Sequence, residues 1–324
     1  MKILFTADIH IKLGQKNVPV AWAKDRYDKL FRAICDLAAK EKVEKLIIGG
    51  DIFDKLPSMD ELELFFDFMM RIRCDTIIYS GNHEALKKNT TFLSNLWDIT
   101  YQISAAMGSH RIHIIDTYKN IDGIDFIPYN KLKEWAADPD NTFVTLHGRI
   151  LCTHVRGEIP PYVKPEIPLE LFDRWELVLA GDLHSYENSQ RNILYPGSPI
   201  TTSFHRNKVN TGVLLVDTET LKHEFVKFDL PQLIRKTIQA GEPMPPGDRD
   251  HIVYEVEGNI SELANVQSTE LLDKKIVQKS TDSALILDPR MSIMQELEEY
   301  FRFILNISDT ETKSLLQELT KYVK

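Results

Sequence analysis

The chain has little of what marks several protein classes. Its 324 residues include only three cysteines, which are far apart and outside any CxxC motif: Cys35, Cys74 and Cys152. This excludes a disulfide framework or a zinc ribbon, and we interpret the cysteines as small core residues. With only 14 Gly and 15 Pro, the sequence also does not belong to the collagen-like, low-complexity or disordered classes.

Long apolar runs are absent as well. No run approaches the roughly 20 residues that a membrane-spanning helix needs. The apolar N-terminal run meets Asp8 and His10, which makes it too short for a signal-peptide core. We therefore expect a cytoplasmic protein without membrane contacts, located in the host cytoplasm if the source is viral.

The chain has no excess of basic residues. Its 39 Lys and Arg against 48 Asp and Glu give a net charge of −9. Because phosphate contacts require clustered Lys and Arg, this balance disfavours a broad nucleic-acid-binding surface. A polyanionic substrate would need local help from bound cations, a few basic loops or a partner subunit.

The pattern of apolar residues predicts the domain organisation. Apolar runs alternate with amphipathic stretches in the first half, which indicates a β-α-β-α-β order, and shorter strand-like runs dominate after Arg111. The Pro/Gly-rich stretch 239–248 marks a domain border. We expect a catalytic body over 1–238, a small α+β domain over 248–288 that includes a helix over 261–272, and a helical segment over 289–324.

The C-terminal segment has apolar residues at helical spacing. Ser308 and Glu311 have the spacing of a capping box, which predicts the start of the second helix. The two apolar stripes comprise Met294, Leu297, Phe301 and Ile304, and then Leu315, Leu316, Leu319 and Val323. So small a region cannot bury both stripes alone, so we expect them to face the body or a partner protein.

Five short polar strings directly follow apolar runs. They are Asp8-x-His10, Gly50-Asp51-x-x-Asp54, Gly81-Asn82-His83-Glu84, Cys152-Thr153-His154 and Gly181-Asp182-x-His184. Side chains at the carboxyl ends of strands in an α/β sheet converge on one crevice, so these strings are expected to form one site. Carboxylate, amide and imidazole groups without cysteine suit two divalent ions such as Mn²⁺, Fe²⁺ or Zn²⁺.

These strings, in this order, resemble the calcineurin-like metallophosphoesterase superfamily over residues 1–230. The similarity is greatest to SbcD-type nuclease subunits and their phage recombination relatives, and it also includes Tyr195-Pro-Gly-Ser-Pro199. The resemblance implies an α/β fold: a β-sandwich flanked by helices, with a small α+β capping or DNA-binding domain and C-terminal helices. It implies that one metal is held by Asp8, His10, Asp51 and His184, and the second by Asn82, His154, Asp182 and the bridging Asp51.

One position departs from this resemblance. The family motif reads Gly-His-x-His where this chain has Gly181-Asp182-Leu183-His184. An aspartate still binds Mn²⁺, so we expect an altered metal preference and not a lost site. The alternative interpretation of Asp182 is a solvated turn carboxylate.

His83 follows Asn82 but is not a ligand in the family that the chain resembles. Its imidazole is suited to donate a proton to the leaving oxygen near neutral pH, and it could also orient Asp51. Several basic side chains near the motifs are candidates for phosphate contacts, with plain surface charge as the alternative. These are Lys12, Lys87, Lys88, His205 and Arg206.

The resemblance implies a DNA exonuclease or endonuclease with two divalent ions, Mn²⁺ or else Mg²⁺, within an SbcCD-type complex for double-strand-break processing and recombination. Water would be the nucleophile. The chain has no GxxxxGK[ST] motif, so an SbcC-like SMC-type ATPase would bind ATP and contact the C-terminal helices. We also expect a homodimer of this subunit. The alternatives are a phosphomonoesterase or cyclic-nucleotide phosphodiesterase on the same metal core, or a non-catalytic scaffold, which would be expected to lose ligands.

Overall fold

The computed structural model describes residues 1–87, 90–108, 111–140, 146–277, 290–305 and 307–321. The chain divides into two compact units, Met1–Lys236 with Pro245–Val253, and Thr237–Met244 with Tyr254–Lys324. Residues 248–253 therefore belong to the first unit, whereas the sequence analysis placed them in the second. The reason is local packing, since the His251 ring lies 5.2 Å from the Trp22 ring of the first unit.

The first unit contains a six-stranded sheet. Its strands are β1 (Lys2–Thr6), β2 (Lys45–Gly49), β3 (Asp75–Tyr79), β6 (Ile112–Ile115), β12 (Gly212–Asp217) and β13 (His223–Lys227). Their order is β13-β12-β1-β2-β3-β6. Strands β1, β2, β3 and β6 are parallel, whereas β12 and β13 pair antiparallel. The loops after β1, β2 and β3 consequently leave the same edge of the sheet.

The first unit also contains a second sheet, which has five strands. Its strands are β7 (Lys119–Ile121), β8 (Ile124–Ile127), β9 (Ile150–His154), β10 (Leu177–Gly181) and β11 (Ile193–Leu194). Their order is β11-β10-β9-β8-β7, and all neighbours are parallel except β7 and β8. A short hairpin of β4 (Ala85–Lys87) and β5 (Thr90–Thr91) follows β3.

The two sheets pack face to face, with helices on both outer surfaces. The helices of this unit are α1 (Val20–Lys40), α2 (Met59–Arg71), α3 (Trp97–Met107) and α4 (Tyr129–Ala137), with short 3₁₀ turns at Phe92–Leu96, Leu169–Arg174 and Tyr186–Asn188. Alternation along β1 shows the layering: Leu4 packs in the core beneath α1 and α2, while Ile3 and Phe5 pack in the core between the sheets. The predicted β-sandwich flanked by helices is confirmed.

The sequence analysis missed α3 and α4. Helix α4 has only nine residues, and it buries chiefly Leu132 and Trp135 against the second sheet. A single apolar pair three residues apart is a weaker periodic signal than the long stripe of α1. In the described residues, none of the helices has the length and apolar character to cross a bilayer.

Strands β14 (Leu233–Gln239), β15 (His251–Gly258) and β16 (Leu272–Val277) form a three-stranded sheet in that order. Helix α5 (Ile260–Ala264) is shorter than the helix predicted over 261–272, because it ends at Asn265, where polar and β-branched residues follow.

The C-terminal helices are α6 (Ile293–Glu299), a π-helical turn over Tyr300–Ile304, and α7 (Asp309–Leu319). Ser308 begins α7 as predicted, because its Oγ accepts a hydrogen bond from the Glu311 amide at 3.4 Å. The predicted apolar stripes remain half-buried or exposed in this structure, with Val323 outside the described residues.

Candidate metal centre

The predicted ligands lie in loops that leave the carboxyl ends of the strands in both sheets. The loops after β1 and β2 run side by side, since the Asp8 amide donates to Gly50 O at 3.0 Å and the His10 amide donates to Asp51 O at 2.9 Å. The second sheet is joined similarly, with Val155 N donating to Gly181 O at 3.2 Å. This backbone pairing brings residues that are distant in sequence to one edge.

The backbone of these loops is strained where the ligands lie. Asp8, His10 and Asp51 have positive φ angles of 55°, 47° and 49°. Non-glycine residues rarely adopt this conformation, and it concentrates at functional sites because the surrounding structure must maintain it. Gly81 makes the packing possible, since a Cβ there would lie 2.1 Å from Asp51 Oδ1.

One group of ligating atoms gathers around His10. Asp8, His10 and His184 each present an atom within 4.8 Å of the others. The Nε2 atoms of His10 and His184 are 3.1 Å apart, and His10 Nε2 is 3.7 Å from Asp51 Oδ2. Asp8 and His10 are buried, whereas His184 lies at the exposed side of the group.

A second group gathers around His154. Its Nδ1 lies 2.9 Å from Gly49 O, and because a carbonyl only accepts, this nitrogen carries a proton. The other nitrogen, Nε2, lies 3.0 Å from Asn82 Oδ1 and 3.4 Å from Asp51 Oδ2. Asp51 Oδ2 is therefore near both groups, which is the placement expected of a bridging carboxylate.

Burial and charge set the protonation of these groups. Burial lowers the pKa of His10 to about 3, so its imidazole is neutral and can ligate a metal. Burial alone would lower the pKa of His154, but the charge and hydrogen bond of Asp51 raise it to about 10. Burial opposes ionisation of Asp51, yet the same His154 interactions keep the pKa of Asp51 below its usual range.

These observations test whether the residues fit bound cations. Oxygen and imidazole nitrogen atoms converge from five strand ends, and a proton on His154 is what offsets the facing carboxylates in this structure. Metal binding would displace a proton from Nε2 and leave the Nδ1–H on Gly49 O, because only a neutral imidazole ligates a metal. The donor set of carboxylate, amide and imidazole matches first-row divalent ions, so the residues fit the group.

Asp182 differs from the other predicted ligands. Its carboxylate accepts hydrogen bonds from Arg156 Nε at 3.2 Å and Arg156 Nη2 at 3.3 Å. Its backbone N–H donates to both oxygens of Asp8, at 3.1 and 3.2 Å. Among the described residues, Asp182 is in none of the groups of converging ligand atoms. The sequence analysis did not single out Arg156, although it stands two residues after His154.

His83 belongs to a third group of converging ligand atoms, with His10 and Asp51, and remains partly exposed. Its amide donates to Asp51 Oδ1 at 2.9 Å, and its Nδ1 donates to the Asp54 carbonyl, 2.6 Å away. Its Nε2 is 3.9 Å from Asp51 Oδ2. The ring is thus fixed by one nitrogen and turns the other towards Asp51, which suits it to ligate a cation or, as an imidazolium, to donate a proton.

Glu84 organises the loops beneath the ligands. Its carboxylate is fully buried and accepts N–H groups from Asp51 at 2.9 Å, Phe53 at 3.1 Å and Gly81 at 2.8 Å. It therefore ties the loop that carries Asp51 to the turn that carries Asn82.

The structure separates the five candidate phosphate contacts. Lys12 Nζ pairs with Asp54 Oδ2 at 2.8 Å. The backbone carbonyl of the same Asp54 accepts the hydrogen bond from His83 Nδ1. His205 lines a pocket of about 320 Å³ together with His184 and several hydroxyl side chains, including Thr202, whose Oγ1 is 3.2 Å from His184 Nδ1. Arg206 is exposed next to His205. The Lys87 side chain and the whole of Lys88 lie outside the described residues.

Comparison with known proteins agrees with this geometry. The calcineurin-like phosphoesterase model matches residues 1–193, which is more than half of the chain. The chain belongs to the calcineurin-like phosphoesterase family. The predicted resemblance is therefore confirmed, including the phage nuclease relationship, because the chain is 41% identical to the probable exonuclease subunit 1 of Escherichia phage T5. That alignment covers 100% of this chain and 99% of the relative.

Other phosphoesterases are more distant. The putative phosphoesterase 244L of Invertebrate iridescent virus 6 is 25% identical over 66% of this chain and 76% of its own length. The solved structure of the Pseudomonas putida nuclease MPE aligns with 68% of this chain and 87% of that chain, at 13% identity and a TM-score of 0.30.

Proposed function

We propose that this phosphoesterase is a metal-dependent DNA nuclease, with exonuclease and endonuclease activity, that uses two divalent ions, preferentially Mn²⁺. The observation that carries the proposal is the position of Asp51 Oδ2 near both ligand groups, 3.7 Å from His10 Nε2 and 3.4 Å from His154 Nε2. Full-length similarity to a phage protein named as a probable exonuclease subunit supports DNA as the substrate.

The residues divide the work of phosphodiester hydrolysis. Asp8, His10, His184 and Asp51 would hold one ion, and Asp51, Asn82 and His154 the other. Bound in this way, two ions supply charge stabilisation for the phosphate and activation of water. With its Nδ1–H held by the Asp54 carbonyl, His83 in the imidazolium form would donate its Nε2 proton to the leaving oxygen and return to the neutral ring.

End-labelled linear DNA, hairpin DNA and p-nitrophenyl phosphate in Mn²⁺ or EDTA provide the test. We expect metal-dependent cleavage of both DNAs, little hydrolysis of the monoester, and no activity in Asp51→Asn. Rapid monoester or cyclic-nucleotide hydrolysis without DNA cleavage would instead establish a phosphatase or cyclic-nucleotide phosphodiesterase. Inactivity on every substrate, with metals bound, would indicate a scaffold.

We further propose that the protein acts with an SMC-type ATPase subunit and as a homodimer, in DNA break processing and recombination. The phage T5 relative is named a subunit, and this chain has no phosphate-binding GxxxxGK[ST] loop of its own. The C-terminal helices expose large apolar side chains, among them Ile293 at 61% and Phe303 at 58%. Such side chains are typical of helix-in-groove contacts.

Co-purification with a candidate ATPase tests this assembly. Phe303→Asp should abolish association and leave the nuclease active, because Phe303 lies outside the first unit. Ile260→Asp is the matched control, since Ile260 is 75% exposed in the same unit but precedes the C-terminal helices. Unchanged association of Phe303→Asp and of a chain ending at Asp288 would contradict the assigned surface. Light scattering of the wild type measures the dimer.

A further inference from the structure

Two arginine–carboxylate pairs occupy opposite ends of the same two strands. Arg149 precedes β9 and pairs with Glu176, which precedes β10, at 2.5 and 2.9 Å. Arg156 follows β9 and pairs with Asp182, which follows β10. The first pair is on the edge away from the ligands, whereas the second is on the edge where the ligands converge.

The pair at the site is built differently from a surface ion pair. The Asp182 side chain is only 6% exposed, although Arg156 is 47% exposed. The Asp182 backbone is fixed by its N–H donation to Asp8. The Arg156 amide is held as well, donating to Glu166 Oε1 at 3.2 Å. Asp182 is thus a rigid anchor, and Arg156 is a cation that it holds at the mouth of the site.

Arg156 keeps hydrogen-bonding capacity for a ligand. A guanidinium has five N–H groups, and Asp182 accepts from two nitrogens, which leaves three N–H groups for another acceptor. Arg156 lies beside the His154 group, because it follows His154 by two residues and its partner Asp182 donates its backbone N–H to the Asp8 carboxylate. Guanidinium groups bind phosphate oxygens with good geometry and remain charged.

We propose that Arg156 binds the substrate phosphate on the His154 side of the site, and that Asp182 is the residue that positions Arg156. This inference rests on the proposed phosphodiester substrate. It assigns Asp182 a role other than metal ligand, since its carboxylate pairs with Arg156 and, among the described residues, is in none of the groups of converging ligand atoms. The aspartate that stands in place of the family histidine then has a function of its own, because it holds the Arg156 guanidinium beside the metal centre.

Three readouts on the Mn²⁺-loaded protein test the assignment: bound Mn²⁺ by metal analysis, KM and kcat for bis(p-nitrophenyl) phosphate and for DNA, and inhibition by inorganic phosphate. Arg156→Ala should keep the wild-type Mn²⁺ content. It should raise KM and the phosphate inhibition constant about 10-fold or more, as expected for one charged hydrogen bond, with a smaller change in kcat. Arg156→Lys should recover part of the loss, and Arg149→Ala is the matched control with no effect.

Asp182→Asn separates the two roles of Asp182. If Asp182 positions Arg156, Asp182→Asn should raise KM as much as Arg156→Ala does and keep its full Mn²⁺ content. The KM of the variant that carries both substitutions should then be no higher than that of either single variant. Loss of Mn²⁺ from Asp182→Asn but not from Arg156→Ala would show a ligand and overturn the inference. Unchanged KM and phosphate inhibition in Arg156→Ala would also overturn it.

The substrates distinguish this inference from the proposed function. If the wild type hydrolyses bis(p-nitrophenyl) phosphate but not DNA, the nuclease proposal fails, while the Arg156 effect on phosphate inhibition still decides the inference. If DNA is cleaved equally well by wild type and Arg156→Ala, the nuclease proposal stands and Arg156 has no phosphate role.

Discussion

Replacing Glu84 by glutamine tests the buried carboxylate that joins the two ligand loops. Glutamine has the same shape, and its single carbonyl oxygen can keep the two bonds that Oε2 accepts from Asp51 and Gly81. Its NH₂ group would then face the Phe53 N–H, which donates to Oε1 in the wild type. One lost bond and one unsatisfied buried donor cost about 2 kcal/mol of unfolding free energy.

The difference in unfolding free energy between the wild type and Glu84→Gln should depend on pH, because glutamate can ionise and glutamine cannot. Burial and the nearby Asp51 charge raise the pKa of Glu84 from 4.5 to about 7. Between these values the folded protein retains a proton that the unfolded chain has lost, so wild-type stability falls as pH rises. A shift of that size corresponds to about 3 kcal/mol. Glutamine has no such proton, so the wild-type advantage should be largest near pH 5 and should reverse by pH 8, where the wild type has lost about 3 kcal/mol.

Urea denaturation in EDTA, followed by tryptophan fluorescence at pH 5 and pH 8, measures this difference. Glu61→Gln is the control for losing a buried carboxylate elsewhere, since Glu61 accepts from Leu13 N and Ser58 N. A gap between wild type and Glu84→Gln that is equal at both pH values would refute the reasoning. With Mn²⁺ present, we expect about 10- to 100-fold weaker metal binding by Glu84→Gln, typical of lost support for ligands.

Three further substitutions address the site. Asp51→Asn should remove both ions and abolish nuclease activity, and retention of two Mn²⁺ by metal analysis would contradict the bridging role. His83→Gln should keep its metals but lower kcat on DNA by about 100-fold or more, and loss of metal would make His83 a ligand. Gly81→Ala should destabilise the fold by several kcal/mol in thermal denaturation, because its Cβ would meet Asp51, whereas Gly14→Ala, with open space around it, should be near neutral.

Much of the sandwich could be predicted from the sequence because its parallel strands are buried on both faces. Such strands are nearly continuous apolar runs, as in β9 (Ile150–His154), where every residue is buried. The polar strings are conspicuous because they interrupt these runs at their ends. Helix α4 lacks such a contrast, since its apolar face is short and adjoins Pro128.

The side-chain partners within the site could not be predicted in the same way. Glu84 bonds mainly to the loop after β2, and Asp182 bonds to a residue from the neighbouring strand. Both contacts depend on side-chain direction, which sequence spacing does not specify once the backbone leaves a regular strand. The Asp182 φ of 106° shows how far this turn departs from ordinary geometry. The sequence predicted which residues could ligate a metal, whereas their hydrogen-bond partners could be identified only from the structure.

The acidic net charge overstates the repulsion that DNA would meet. In the described residues, six carboxylates are buried and do not lie on the surface that DNA would meet. Asp8, Asp51 and Glu84 are among those six. In the proposed function, two divalent ions add their charge at the point where the phosphate binds, and Arg156 adds another. The local field then favours a polyanion although the whole chain is acidic.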